Sequence, residues 1–271
     1  MSVSSNDPSD RRARVLSLYP SPEEVERRIR SIHDSLLASS TTVVTANFKA
    51  ISVADLASLF DLYDRHFFEG LLGRSLDEDG ARLGYRLSNR MTRSGGTTER
   101  LRPRSGPSTR VSYTITVSTF LLFRSFRDPL RRINVAGIEC KDRLEALQRI
   151  FEHELLHLTE FLAWGDSSCE RENFKTLSKR IFGHAGVKHE LVTPHETAAT
   201  SFGIRTGDRV AFEFEGVRRI GIVNRITKRA TILVEDAGGR LFSNGVKYAT
   251  FYVPLVLIRK VGDSESASAA K

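Results

Sequence analysis

The chain is predicted to be α+β: helices around a small antiparallel sheet, followed from about residue 203 by a small all-β barrel. Up to about residue 183, amphipathic stretches with N-cap signals alternate with a few short β-patterned runs. After Thr200 the helical period stops, and RVAFEF, VRRIGIVNRI, RATILVED and KYATFYVPLVLI follow as short strands with Gly turns. A hydrophobic content of 40% over 271 residues is enough for one large or two modest cores.

The elements follow in order. Residues 1–20 are polar and are expected to be disordered, as is the tail over 263–271. Ser21, followed by Pro22 in the first turn, opens a helix to about Ala38, so 21–50 forms a helix and connector. Ser52 begins the main domain, expected over 51–200, with a helix through LFDLYDRHFF to about Glu69. Residues 80–94 are predicted to be a strand pair, and Gly95-Gly96 to lead into a Pro/Gly/Arg-rich connection. Arg110 to Ser118 alternates like a half-buried strand, and Phe120 to Phe126 continues it or turns helical. Asp142 and Glu145 have the spacing of a capping box before a broad apolar stripe from Leu144 to Leu162, which Gly165 stops. Asp166-Ser167-Ser168 offers N-caps for a helix over Cys169–Phe182, ended by Gly183. The barrel is expected over 203–262.

Inside the helix that Asp142 opens stands His153-Glu154-Leu155-Leu156-His157. Residues four apart share a helix face, so the two imidazoles can bind one metal ion with Glu154 beside it. Zinc lowers the pKa of a bound water to near neutrality, and Glu154 can take its proton. Chance alone gives such a motif on the order of once per hundred chains of this length and His content, and the well-specified helix argues against chance here. Glu160 falls on nearly the same face, as a ligand, an acceptor for a ligand, or a solvated carboxylate.

A catalytic zinc needs a third protein ligand and an open position. Cys169 is the first choice, because a first-turn position favours a thiolate. The plain alternative is a small buried thiol. Glu170 is the neighbouring option, although its capping-box spacing to Ser167 would occupy the carboxylate. His184 and His189 follow the helix. His184 would lie roughly 20 Å from the helix start at 1.5 Å per residue, and both are expected to be polar loop residues.

The net charge is +8 with 41 Lys and Arg against 33 acids, so acidic partners suit the chain. Two cysteines give no disulfide framework and suit a reducing, cytoplasmic compartment. The first twenty residues lack the apolar core of a signal peptide, and no run is long enough to span a membrane. Eleven arginines and no lysine fall between Arg86 and Arg132, against only Glu99 and Asp128. Arg102, Arg104 and Arg110 are taken as nucleic-acid contacts, the alternative being a solvated surface. The barrel is basic too, with eleven Lys or Arg and five acids over 205–260. Phe120, Phe123 and Phe126 belong to the core or stack bases.

In order and spacing, LFDLYDRHFFEGLL (59–72), LGYRLSNRMTRSGG (83–96), YTITVS (113–118) and EHELLH (152–157) resemble the SprT-like zinc metalloproteases. The resemblance covers about 55–183. It implies a zincin-type fold, zinc on His153 and His157, and Glu154 as general base. Members include Spartan-type proteases that degrade proteins crosslinked to DNA, which implies repair of such crosslinks. One departure stands out. The family commonly supplies its third ligand from a His-Gly element at the start of the next helix; here Glu170 is in register with that His and Cys169 precedes it. The C-terminal segment resembles an SH3-like module, with no residue that names its partner.

Two functions are therefore expected. One is a zinc metalloendopeptidase acting on DNA-associated proteins by Glu-assisted attack of zinc-bound water. The other is a non-catalytic zinc-containing protein that binds nucleic acid or protein.

Overall fold

A computed structural model describes residues 8–102 and 110–261. The protein is mixed α+β with small sheets and divides into two compact units, 1–191 and 192–271. Among the described residues no helix is long and apolar enough to cross a membrane.

In the first unit, helix α1 spans Pro8–Ser17. This corrects the expectation of disorder over 8–17; residues 1–7, like the tail over 263–271, lie outside the described residues. The stretch is rich in arginine, but Arg11 and Arg12 have partners far along the chain and Arg14 pairs with Asp10 within the helix. Arg11 is 4% exposed and donates to Asp79 and Glu78, while Arg12 Nε donates to the Ala163 carbonyl at 2.7 Å.

Helices α2 (Pro22–Ser39) and α3 (Val53–Phe67) both open with capping boxes, Ser21 with Glu24 and Ser52 with Asp55. Each turns a spaced apolar stripe inward: Val25, Ile29, Ile32 and Leu36 on α2, and Leu56, Leu59, Tyr63 and Phe67 among others on α3. Helix α4 (Leu71–Glu78) starts at Gly70, whose φ of 76° suits a residue without Cβ; Asp64 then accepts the N–H groups of Leu72 and Gly73.

Strands β1 (Arg82–Ser88), β2 (Gly96–Leu101) and β3 (Ser112–Ser118) form a sheet in the order β1-β3-β2. Two expectations change here. Residues 80–94 hold one strand rather than a pair, and β2 starts where a connection was expected. The sheet is also not wholly antiparallel: β2 pairs antiparallel with β3, but β1 pairs parallel with it. The reason is the loop over 89–95, which carries the chain past β3 to its other side. Ser88 Oγ accepts the Arg90 and Met91 N–H groups in that loop, and Ser118 Oγ donates to the Met91 carbonyl.

Helix α5 (Thr119–Ser125) follows, then the hairpin β4 (Ile133–Val135) and β5 (Ile138–Cys140). Helix α6 (Arg143–Trp164) is capped by Asp142, which accepts the Glu145 N–H, and ended by Gly165 at φ 75°. It is buried on nearly every side, so it is the axis of the unit. Helix α7 (Glu172–Phe182) and the two-residue β6 (His189–Glu190), antiparallel to β4, complete the unit. Tyr63, Phe67, Phe151 and Phe182 join α3, α6 and α7, with the Phe67 and Phe182 ring centroids 4.9 Å apart. Phe123 meets Phe48 edge to face and lies under Arg143, which gives it the core role.

The second unit begins at Val192, earlier than residue 203, because helix α8 (Pro194–Phe202) belongs to it. Strands β7 (Arg209–Phe214), β8 (Val217–Ile226), β9 (Ala230–Leu241), β10 (Lys247–Val253) and β11 (Arg259–Lys260) form an antiparallel sheet ordered β10-β9-β8-β7-β11. Glu215 and Gly216, both at positive φ, make the tight β7–β8 turn. Val210, Phe212, Val223, Ile232 and Ile258 pack with Ala198 and Ile204 in its core. Among the described residues no ladder joins β10 to β11.

Candidate metal centre

The middle of α6 carries His153 and His157 on one face, as the spacing predicts. Their Nε2 atoms are 3.2 Å apart. The outer nitrogen of His157 is tied down: Nδ1 lies 2.7 Å from Ser167 Oγ, which donates to Glu160 Oε2 at 2.7 Å. With the Ser167 hydroxyl proton given to Glu160, its oxygen is left to accept from His157 Nδ1–H, and the Nε2 lone pair is free. Glu160 also accepts from the Ser168 N–H and Asn173 Nδ2, and is 3% exposed. Of the three roles open to Glu160, the structure assigns it that of acceptor. Burial pushes the His157 pKa down to about 4 and that of His153 down further, so both rings are neutral at pH 7, as ligands must be.

Cys169 joins them. One ligand atom from each of His153, His157 and Cys169 lies within 4.8 Å of the other two. The route differs from the one expected. Helix α7 begins at Glu172 with Arg171 as N-cap, so Cys169 sits in the preceding turn and not in a first helical turn. Burial, then the carboxylates of Glu154, Glu170 and Glu160, raises its thiol pKa instead of lowering it. The Ser167–Glu170 capping box is absent as well: Ser167 serves His157 and Glu160, and Glu170 is exposed.

The donor set fits zinc. Two imidazoles and a thiol are a borderline-soft combination, and a coordinating thiol gives up its proton to the metal. Glu154 makes the same point. It is 2% exposed, and burial lifts its carboxyl to about 8 against the opposing bond from Thr98 Oγ1 at 2.8 Å. A buried carboxyl with that pKa needs a nearby cation to be charged at neutral pH.

Glycines clear the space around it. A Cβ on Gly96 would come within 2.6 Å of Glu154 Oε1, and one on Gly95 within 2.8 Å of His189 Nδ1. Gly96 therefore lets β2 lie directly against α6.

Neither later histidine is a solvated loop residue, which corrects that expectation. His184 is buried behind the site, with Nε2 2.7 Å from Glu152 Oε2 and Nδ1 2.9 Å from Ser178 Oγ. Glu152 also accepts from Tyr63 and Arg149. Burial opposes its charge, but Arg149 and His184 overcome that, and its pKa falls below the ordinary value. His189, on β6, meets the His153 ring edge to face at 4.6 Å between centroids. His153 Nδ1 and His189 Nε2 are both buried with no hydrogen-bond partner. The sequence holds no local signal for this, because β6 is a two-residue strand placed by pairing with β4.

His153, Glu154, His157, Cys169 and His189 line a cleft of about 560 Å³ together with Arg93, Thr97, Phe161 and Lys188. Arg100 lies over the Phe161 ring at 4.8 Å. Arg102 and Arg110 are exposed, and Arg104 lies outside the described residues. Comparison of the chain with known protein families, curated proteins and solved structures returns no match.

Proposed function

We propose that the 1–191 unit is a zinc metallopeptidase of the SprT-like, zincin type that acts on DNA-associated proteins. The observation that carries this reading is the convergence of His153, His157 and Cys169, with Glu154 alongside, next to the sheet edge formed by β2. His153, His157 and Cys169 would hold the ion. When bound, zinc polarises a peptide carbonyl and acidifies water.

The rest falls to the chain's own side chains. Glu154 is the general base: it takes a proton from the attacking water and returns it to the leaving amine. Thr98 Oγ1 bonds Oε2 of that carboxyl and also the Glu154 carbonyl, which fixes its direction. Glu160 and Ser167 hold the His157 ring. As the edge strand, β2 can accept an extended peptide as a further strand, bringing one of its carbonyls past Glu154.

Among the described residues, no fourth His, Cys, Asp or Glu joins the three donors. The alternative, a closed structural site in a protein that only binds, requires four. Exposed Arg86, Arg90, Arg93, Arg102 and Arg110 around the same unit support contact with a nucleic-acid backbone. The 192–271 unit is read as an SH3-like barrel appended to the protease. The deciding experiment compares the parent with Glu154→Gln on a DNA-bound protein substrate, with zinc content measured in both.

A further inference from the structure

The strand register of the C-terminal sheet decides which residues share each face, because residues opposite one another on neighbouring strands point to the same side. Phe212, Val223, Ile232 and Val253 mark the inner face. On the outer face, one rung places Arg209 opposite Ile222, Ile222 opposite Leu233, and Leu233 opposite Thr250. The adjacent rung places Arg225 opposite Thr231 and Thr231 opposite Tyr252. A bulge between Val223 and Arg225 makes this possible. Strict alternation would turn Arg225 inward with Val223; the bulge turns it out onto the face of Tyr252, two strands away across Thr231. Arg259, opposite Ala211, adds a third guanidinium to the same face.

Tyr252 is 67% exposed and Ile222 41%, and Arg209, Arg225 and Arg259 are exposed. The acids of this face, Glu235 and Glu213, stand one and two rungs beyond the Arg209 rung; Glu235 is level with Ala211 and so with Arg259, and Glu213 is opposite Arg218. An exposed aromatic ring at one edge of a face whose other strands carry cations adds nothing to the core. It suits a ligand with both flat rings and regularly spaced negative charge.

We propose that this face binds single-stranded nucleic acid, with the Tyr252 ring stacked on a base and Arg209 and Arg225 on the flanking phosphates. A duplex keeps its base faces hidden and offers the ring nothing to stack on. An acidic peptide supplies the charge, but not a flat ring at every charged unit as a nucleic-acid strand does. The inference is independent of whether the chain hydrolyses peptides.

The test is fluorescence anisotropy of a labelled oligothymidine with the full chain. Tyr252→Ala should weaken binding about tenfold, while Tyr252→Phe, which keeps the ring, should bind like the parent. Arg209→Gln with Arg225→Gln should weaken binding and make the log–log salt slope shallower by about one unit. All three positions are on the surface, so an unchanged melting temperature certifies the fold. Arg102→Gln with Arg110→Gln serves as the comparison. If only that pair loses affinity, or if Tyr252→Ala binds like the parent, the face is not a nucleic-acid site. If the variants lose binding to polyglutamate but keep the oligonucleotide, the face takes an acidic protein and the proposal falls.

Discussion

His153 and His189 meet edge to face with their ring centroids 4.6 Å apart, and each keeps one nitrogen buried and unpartnered. A ligating imidazole usually gives its second N–H to an acceptor, which fixes the ring and raises its basicity. His157 has Ser167 for this; His153 Nδ1 has no such acceptor, and the ring of His189 packed against it is what holds that imidazole in place. His189→Ala should therefore lower zinc affinity by about tenfold or more, with His189→Gln closer to the parent. Competition with a chromophoric chelator measures it. Equal affinity in His189→Ala and the parent would leave His189 as packing alone.

Zinc itself should follow the three donors. Purified parent should carry about one equivalent, the number a single site with one open position holds. The double variant His153→Ala/His157→Ala should carry almost none by metal analysis. Cys169→Ala should weaken binding far more than Glu170→Ala, whose carboxylate is exposed. His184→Ala should act differently: it leaves Glu152 short of a buried partner and should cost about 3 kcal/mol of stability, read in urea melts. A larger zinc loss from Glu170→Ala than from Cys169→Ala would move the third ligand to the neighbouring residue.

Glu154→Gln keeps size and hydrogen bonding but cannot take a proton. Zinc content should be unchanged and cleavage of a DNA-bound protein should fall by at least about a hundredfold. Gly96→Ala should mimic part of this loss, because its Cβ would press on the Glu154 carboxyl. Cleavage by Glu154→Gln at the parent's rate would remove Glu154 from the chemistry.

Much of this site was legible from local signals. The caps at Ser21, Ser52 and Asp142, the apolar stripes and the His-Glu-x-x-His spacing all act within a few residues, so sequence alone places α2, α3 and α6. Cys169 was expected near the histidines for a reason that fails, since its helix starts later; what brings it near them is the turn after Gly165. His189 and α1 were not legible, because each is positioned by partners far away in the chain. The parallel pairing of β1 with β3 escaped for the same reason: alternation marks a strand but not its neighbour.

The arginine-rich stretch gives a salt-dependent expectation. Charge reversal of Arg102 and Arg110 should weaken duplex or single-strand binding across all sequences alike and flatten the salt dependence, since phosphate contacts carry no base information. Titrations at several salt concentrations read it out. Affinity that does not change with salt would detach the protease reading from DNA.

Asp55 sets an acid limit on the fold. It accepts from Ser40 Oγ, Thr42 Oγ1 and both the N–H and hydroxyl of Ser52, tying the connector after α2 to the start of α3. Burial alone would raise its pKa, but these bonds hold it below the ordinary carboxylate value. A lowered folded-state pKa contributes stability that is fully present above the unfolded value of about 4 and is lost as pH falls through the folded one. Asp55→Asn should therefore be less stable than the parent at pH 7, and the gap should close in acid. A gap that stays constant in melts down to about pH 2 would assign the effect to packing.

Arg12 reaches a carbonyl 151 residues further along the chain. On a ribosome adding about 5–20 residues per second, α1 emerges roughly eight to thirty seconds before the end of α6 exists to receive it. Until then Arg12 has no Ala163 carbonyl to reach, and α6 must form before α1 can dock along it. The helix that comes early in synthesis is thus a late arrival in assembly, and a stall anywhere before Ala163 leaves it free.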